Sequence, residues 1–366
     1  MREIILDAPN LGELERKRVD ECLDSTFVST VGSYVPEFEK KFSEYNNSGF
    51  AVSTQSGTAA IHMALYELGI GKGDEVIAPS LTFIASINPI LYTGATPVFV
   101  DVDEKTWNID PEKIEEAITA KTKAILVVHL YGNPCDMNRI KEISEKYGIP
   151  IIEDAAESLG ATYGGIKTGN FGVMGCFSFN GNKVITTAGG GMVTVQSQEK
   201  AKHLKFLVNQ ARDEKLGYYH PEMGFNYRMT NICASLGLAQ MDRLDGFLQM
   251  KREFHDVYYS ILNKSDNIDF QQEYENSKSS FWLTSIVLKE SNNNIVTLQA
   301  KLKNKGIPTR RMFFPVVEFP YLKEYKKGEY PNAYKIFNNG LNLPGSTLNS
   351  VENIHYVADE IKNIIG

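Results

Sequence analysis

The chain has 366 residues, a formal net charge of −7, 42% hydrophobic and 23% charged residues, an ordinary globular balance with room for two domains or one large and one small. The acidic balance argues against nucleic acid or a membrane surface as the main partner, since neither would meet a basic footprint. Cys22, Cys135, Cys176 and Cys233 are scattered with no Cys-x-x-Cys pair, and no window is apolar enough to span a bilayer. The chain therefore reads as a soluble cytoplasmic protein without a disulfide framework or a metal site.

Taken in order, Leu11 to Thr26 and Tyr34 to Tyr45 carry apolar residues at helical intervals and are expected as amphipathic helices. Short apolar runs then alternate with helical segments. Strands are expected at Phe50–Ser53, Glu75–Pro79, Pro97–Val102, Ala124–His129 and Ile149–Glu153, and helices near Ile84–Tyr92, Pro111–Ala120 and Met137–Tyr147. Such alternation predicts an α/β protein whose mainly parallel sheet is covered by helices on both faces, with ligands at the carboxyl ends of the strands. Met229–His255 reads as a long helix bridging to a second part, where Lys, Asn and Glu become common. Phe281–Leu288 is an apolar run there, Asn292–Asn294 a loop and Val351–Ile365 a final amphipathic helix. Two domains are expected, residues 1–245 and 246–366.

Lys183 stands out between the short run Phe177-Ser178-Phe179 and three glycines, Gly189 to Gly191. An amine on a defined turn beside backbone without side chains suits covalent capture of an aldehyde or carbonyl group; the plainer alternative is a surface lysine in a hairpin. Asp154 ends a strand 29 residues earlier and could hold a protonated ring nitrogen, or simply cap the next helix. Ser56-Gly57-Thr58 opens a helix after a strand, either as a phosphate seat or as an ordinary N-cap. Phe83 could stack on a flat ring or belong to the core, and His129 could touch a ligand or be a satisfied structural histidine. No Gly-x-x-x-x-Gly-Lys-Ser/Thr element and no strand followed by Gly-x-Gly-x-x-Gly is present, which lowers nucleotide hydrolysis and nicotinamide chemistry as readings.

These residues sit in ordered motifs: Ser25-Thr-Phe-Val-Ser, Ser56-Gly-Thr-Ala-Ala, Pro79-Ser-Leu-Thr-Phe-Ile-Ala-Ser, Gly94-Ala-Thr-Pro-Val-Phe-Val-Asp, His129-Leu-Tyr-Gly, Glu153-Asp-Ala-Ala-Glu, Phe177-Ser-Phe-Asn-Gly-Asn-Lys and Gly224-Phe-Asn-Tyr-Arg-Met-Thr-Asn. Together they resemble the DegT/DnrJ/EryC1/StrS family of nucleotide-sugar aminotransferases. The resemblance implies a pyridoxal-phosphate-dependent transferase of fold type I, aspartate aminotransferase-like, with a seven-stranded, mainly parallel sheet in the large domain and a smaller C-terminal α+β domain. It implies pyridoxal 5'-phosphate as cofactor, alternating with pyridoxamine 5'-phosphate. Lys183 would bind the cofactor and move the proton, helped if cationic, partly desolvated surroundings favour its neutral amine.

By the same resemblance, Asp154 would pair with the pyridine nitrogen, Glu157 would lie near the ring hydroxyl and Phe83 on the ring. Gly57, Thr58 and Ser178 would hold the phosphate, joined by Asn226 from the neighbouring subunit of a homodimer with shared active sites. Ser29, His129, Gly190 and Arg310 would meet the substrate. The implied reaction moves an amine from L-glutamate to C4 of a nucleotide-linked 4-keto-6-deoxy sugar for bacterial surface glycans. Asn180-Gly-Asn-Lys through Gly191 and Asn209-Gln-Ala-Arg favour a UDP-linked 2-acetamido sugar, since perosamine synthases usually carry Glu where Gly189 stands. Gly224 to Asn231 and Leu341-Asn-Leu-Pro resemble those GDP-perosamine synthases. Arg311 and Val317 depart from the relatives' Thr-Arg-Pro and His, in a segment that faces substrate. A sugar 3-dehydratase would carry His in place of Lys183, and a non-catalytic sensor of the same fold would be expected to lose Lys183 or Asp154.

Overall fold

The computed structural model describes residues 3–213, 215–289 and 294–365, so Asn292 and Asn293 of the expected loop lie outside the described residues. Across the large sheet the strands follow the order Phe50–Thr54, Gly191–Val195, Met174–Ser178, Ile151–Asp154, Thr122–Val128, Glu75–Pro79 and Thr96–Val100. All neighbouring pairs are parallel except those made by Gly191–Val195, which runs antiparallel to both its neighbours. The α/β architecture with a mainly parallel seven-stranded sheet is thus present. The one reversed strand matters for the site. Its amino end lies at the edge where the other strands end, so Gly189 and Gly190 arrive beside Ser178 and Asp154.

The near-continuous burial of Val52, Val76, Ile77, Leu126, Val127, Ile152 and Val193 reflects a sheet covered on both faces. Helix Gly57–Glu67 packs against Met174–Ser178 and Gly191–Val195, and its Ala-rich sequence lets it sit close to the strands. The expected helix over Ile84–Tyr92 is two pieces, a 3-10 turn at Ile84–Ser86 and a helix at Asn88–Tyr92. Pro89 lacks an N–H to continue a helix but is tolerated in a first turn, so the chain restarts there.

Helix Asn231–Leu262 has 32 residues, longer than expected because buried Phe254, Tyr258 and Leu262 extend its apolar stripe. It packs on Glu13–Asp24 and Tyr34–Asn46 at one end and on Val351–Ile365 at the other. The second sheet has the order Ile268–Phe270, Ser285–Leu288, Gly340–Asn342 and Arg310–Arg311, all antiparallel. Its core joins Phe254, Tyr258, Ile286, Leu298 and Ile361 with Ile4 from the chain's start. Conversely, Trp282, Met312, Val316 and Val317 pack with the large sheet's core. The residue 245/246 division falls inside the long helix, and segments from both sides of it meet over the sheet edge. Among the described residues no helix is long and apolar enough to cross a membrane.

Candidate active site

The strand ends and the segments reaching over them enclose a cavity of about 560 Å³, a size suited to a small ligand. Gly57, Thr58, Phe83, Asp154, Glu157, Ser178, Lys183, Gly190 and Arg310 all line it, with Ser56, Ser86, Asn182, Gly189, Trp282 and Phe313.

At one end, Ser56 caps helix Gly57–Glu67 by accepting from Ala59 N at 3.1 Å. The first N–H groups of that helix, on Gly57 and Thr58, have no helical carbonyl to reach and face the cavity with the positive end of the helix dipole. Gly57 is needed there: a Cβ would lie 2.7 Å from Ser178 Cβ, so the strand end and helix start can share one small cradle only without it. Backbone N–H groups and hydroxyls placed in this way are suited to seat an anion.

Asp154 lies at the end of its strand and is 5% exposed. The Ser86 hydroxyl donates to its Oδ2 at 2.6 Å and Ala156 N to its Oδ1 at 3.0 Å. Burial pushes its pKa up, against the pull of Ser86, Ala156 N and Lys183. Glu157 is also pushed up by burial, opposed first by Lys183, and its Oε2 accepts from Tyr131 N at 2.7 Å. Two buried carboxylates at one cavity call for a cationic partner. Lys183 supplies one: its Nζ lies 3.6 Å from Glu157 Oε1 and 4.0 Å from the centroid of the Trp282 ring. Its turn is set by Lys183 N donating to Asn180 O at 3.0 Å. The charged group paired with the amine is thus a carboxylate, whereas cationic surroundings are what would help it lose its proton. The residues fit pyridoxal phosphate: an anion seat, an acid able to face a ring N–H, and a lysine amine open onto one cavity.

Phe83 is 51% exposed, with its ring 5.6 Å from Phe313. Gly190 is crowded, since a Cβ would meet Thr187 Oγ1 at 2.3 Å, whereas a Cβ on Gly189 would find only Gln55 O at 4.0 Å. Arg310 Nη2 pairs with Asp7 Oδ2 at 2.7 Å, and Asn182 Nδ2 donates to the same oxygen at 3.3 Å.

Two residues expected at the substrate, His129 and Ser29, do not line the cavity, nor does Asn226, which was expected to act in the neighbouring subunit. His129 is fully buried: its Nδ1 accepts from Cys135 N at 3.1 Å, which leaves Nε2 to donate to Glu153 Oε2 at 3.0 Å. Glu153 also accepts from the N–H groups of Gly169, Phe171 and Gly172, so the pair fastens a loop beneath the sheet edge rather than a substrate. Ser29 is exposed, with its carbonyl on Asn231 N, and Asn226 is exposed and bridged to Asn209. Val317 is buried in the core and does not line the cavity.

Residues 9–362 match the DegT/DnrJ/EryC1/StrS aminotransferase family. The chain is 42% identical over 362 residues to GDP-perosamine synthase of Escherichia coli O157:H7, covering 99% of this chain and 98% of that one. It is 40% identical to GDP-perosamine synthase of Caulobacter vibrioides, covering 98% of each. Among solved structures it is similar to Spr1654 of Streptococcus pneumoniae in its PMP-form, with a TM-score of 0.94, 30% identity and 99% of each chain covered.

Proposed function

Because the chain belongs to the DegT/DnrJ/EryC1/StrS aminotransferase family, we propose that it transfers the amino group of L-glutamate to C4 of a GDP-linked 4-keto-6-deoxymannose, as a step in making a surface polysaccharide. It is a pyridoxal-phosphate-dependent sugar aminotransferase. The single observation that favours the GDP-sugar is the end-to-end similarity to GDP-perosamine synthases. A second reading, the UDP-linked 2-acetamido sugar, is favoured by Gly189, which leaves open space at the cavity where those synthases usually carry Glu.

When bound, pyridoxal phosphate supplies the electron sink and carries the amino group between the two substrates. Gly57 N, Thr58 and Ser178 would hold its phosphate, and Asp154, oriented by Ser86, its ring nitrogen. Lys183 takes the proton from the donor's α-carbon and delivers one at the sugar's C4. Glu157, 3.6 Å from the amine, keeps it directed into the cavity. The exposure of Asn226 outside its own cavity supports a homodimer in which Asn226 of the partner subunit completes the phosphate seat. The test is to incubate purified protein with pyridoxal phosphate, L-glutamate and GDP-, UDP- or dTDP-linked 4-keto-6-deoxy sugars, and to read the products by mass spectrometry. Amination of the GDP-sugar alone is the expected result; turnover of the UDP-acetamido sugar alone would overturn the choice of nucleotide.

A further inference from the structure

We propose that Trp282 is a positioning residue, whose indole face holds the Lys183 amine inside the cavity whenever that amine is not joined to the cofactor. The proposal rests on the reading of Lys183 as the cofactor-binding lysine, and goes beyond it in assigning the amine a second, built position. Lys183 Nζ lies 4.0 Å over the Trp282 ring and 3.6 Å from Glu157 Oε1.

The indole is fixed at every other point. Its Nε1–H donates to Asn182 O at 2.6 Å, the carbonyl immediately before the lysine. Its own backbone O accepts at 3.0 Å from the buried Lys251 amine, which also donates to Gly345 O at 2.9 Å. Tyr131 stacks beside it with centroids 6.3 Å apart and an interplanar angle of 28°. Gly132 lets the segment come so close: a Cβ there would lie 2.9 Å from Trp282 N. Trp282 is 2% exposed, yet it lines the cavity. A tryptophan pinned by its carbonyl, its N–H and its stacking neighbour is held in one place, with the Lys183 amine over its ring.

The chemistry suits a lysine that must leave and return. An indole face attracts an ammonium by roughly 0.5–2 kcal/mol, but cannot accept its proton. Glu157 alone could take that proton, because burial pushes its carboxyl up. Sharing the amine between a carboxylate and an aromatic face keeps it desolvated and near its point of attack without neutralising the acid beside it.

The tests read the full chain without any amino donor or sugar. Trp107 and Trp282 are the two tryptophans of the sequence, so subtracting the emission of Trp282→Phe from that of the wild type isolates Trp282. In cofactor-free protein, Lys183→Met should change that emission, which a tryptophan of purely structural role would not show. The second arm follows pyridoxal phosphate absorbance as the Lys183 nitrogen joins the aldehyde carbon and the aldehyde oxygen leaves as water. Because the contact stabilises the free ammonium, which must give up its proton before it attacks, capture should quicken, by about threefold in Trp282→Phe, which keeps a weaker aromatic face, and by about tenfold in Trp282→Leu, the range a cation–π contact spans. Emission indifferent to Lys183→Met, or capture by both Trp282 variants within about twofold of wild type, less than even a weak cation–π contact gives, overturns the proposal. Failure to aminate any keto-sugar would count against the substrate reading alone, because neither arm contains one.

Discussion

The Ser86 hydroxyl donates to Oδ2 of Asp154 at 2.6 Å, and both groups are buried at the cavity wall. Thr82 Oγ1 lies 3.0 Å from the same hydroxyl, so a short relay fixes one carboxylate oxygen while Ala156 N fixes the other. A hydrogen bond to a charged group contributes about 1.5–3 kcal/mol. Ser86→Ala is therefore expected to weaken pyridoxal phosphate binding by about tenfold or more, because Asp154 loses both orientation and stabilisation of its charged form. An absorbance titration of cofactor-free protein measures it; unchanged affinity would show that Ser86 only fills space.

At the other end of the cavity the limiting contact is steric. Gly57→Ala puts a methyl 2.7 Å from Ser178 Cβ and 3.3 Å from Ser178 Cα, and the strand end cannot shift without loosening its pairing to Gly191. Overpacking of this kind costs about 1–3 kcal/mol. The urea midpoint should fall, and the double variant Gly57→Ala/Ser178→Gly should recover stability but not cofactor affinity, since the hydroxyl is then gone. Recovery of both would place the phosphate elsewhere.

A parallel sheet delivers every strand's carboxyl end to one edge, so Ser56–Thr58, Asp154 and Ser178–Lys183, each just after an apolar run, could be placed together before any coordinates. His129 also follows such a run, but the 3-10 turn Leu130–Gly132, with Tyr131 at φ 55, carries the chain so that its ring points under the edge toward Glu153. Trp282 was not legible as a site residue, because it reaches the cavity from 100 residues beyond Asn182, inside an apolar run that reads as core, and Asp7, which pairs with Arg310, stands in no motif. Ser86 was within reach: it closes the motif that begins at Pro79, on the strand beside the one preceding Asp154's.

Asp154 links the site to stability. Burial raises its pKa, so the native cofactor-free protein holds this proton over a range in which the unfolded chain has already lost it. Stability must then fall as pH rises from the unfolded value, about 4, through the raised folded one. Asp154→Asn removes that dependence. It should raise the Tm of cofactor-free protein at pH 7.5, with the gain shrinking toward pH 4, while weakening cofactor binding. A variant less stable than wild type at pH 7.5 without cofactor would mean that Lys183 and the hydrogen bonds already compensate the charge in full.

Lys251 gives the opposite sign. Fully buried in the long helix, its amine is pushed down from the usual 10.5 to about 8 by desolvation. Its two carbonyl partners, Trp282 O and Gly345 O, satisfy hydrogen bonds but carry no full negative charge. Below pH 8 the native state must hold a buried ammonium, so the cost is fully present at neutral pH. As pH rises toward the unfolded value the unfolded chain keeps a proton that the native chain has released, and stability increases. Lys251→Met lacks this group, so the wild type should gain about 2 kcal/mol relative to the variant between pH 7 and pH 9.5. Urea denaturation of both proteins at the two pH values measures the difference directly, since ionisation of cysteines and tyrosines elsewhere is common to both and cancels. Parallel pH profiles would mean that the amine stays charged at no cost, stabilised by its two carbonyls. Trp282 would then be anchored from below by an ordinary ammonium rather than by an amine close to its own titration.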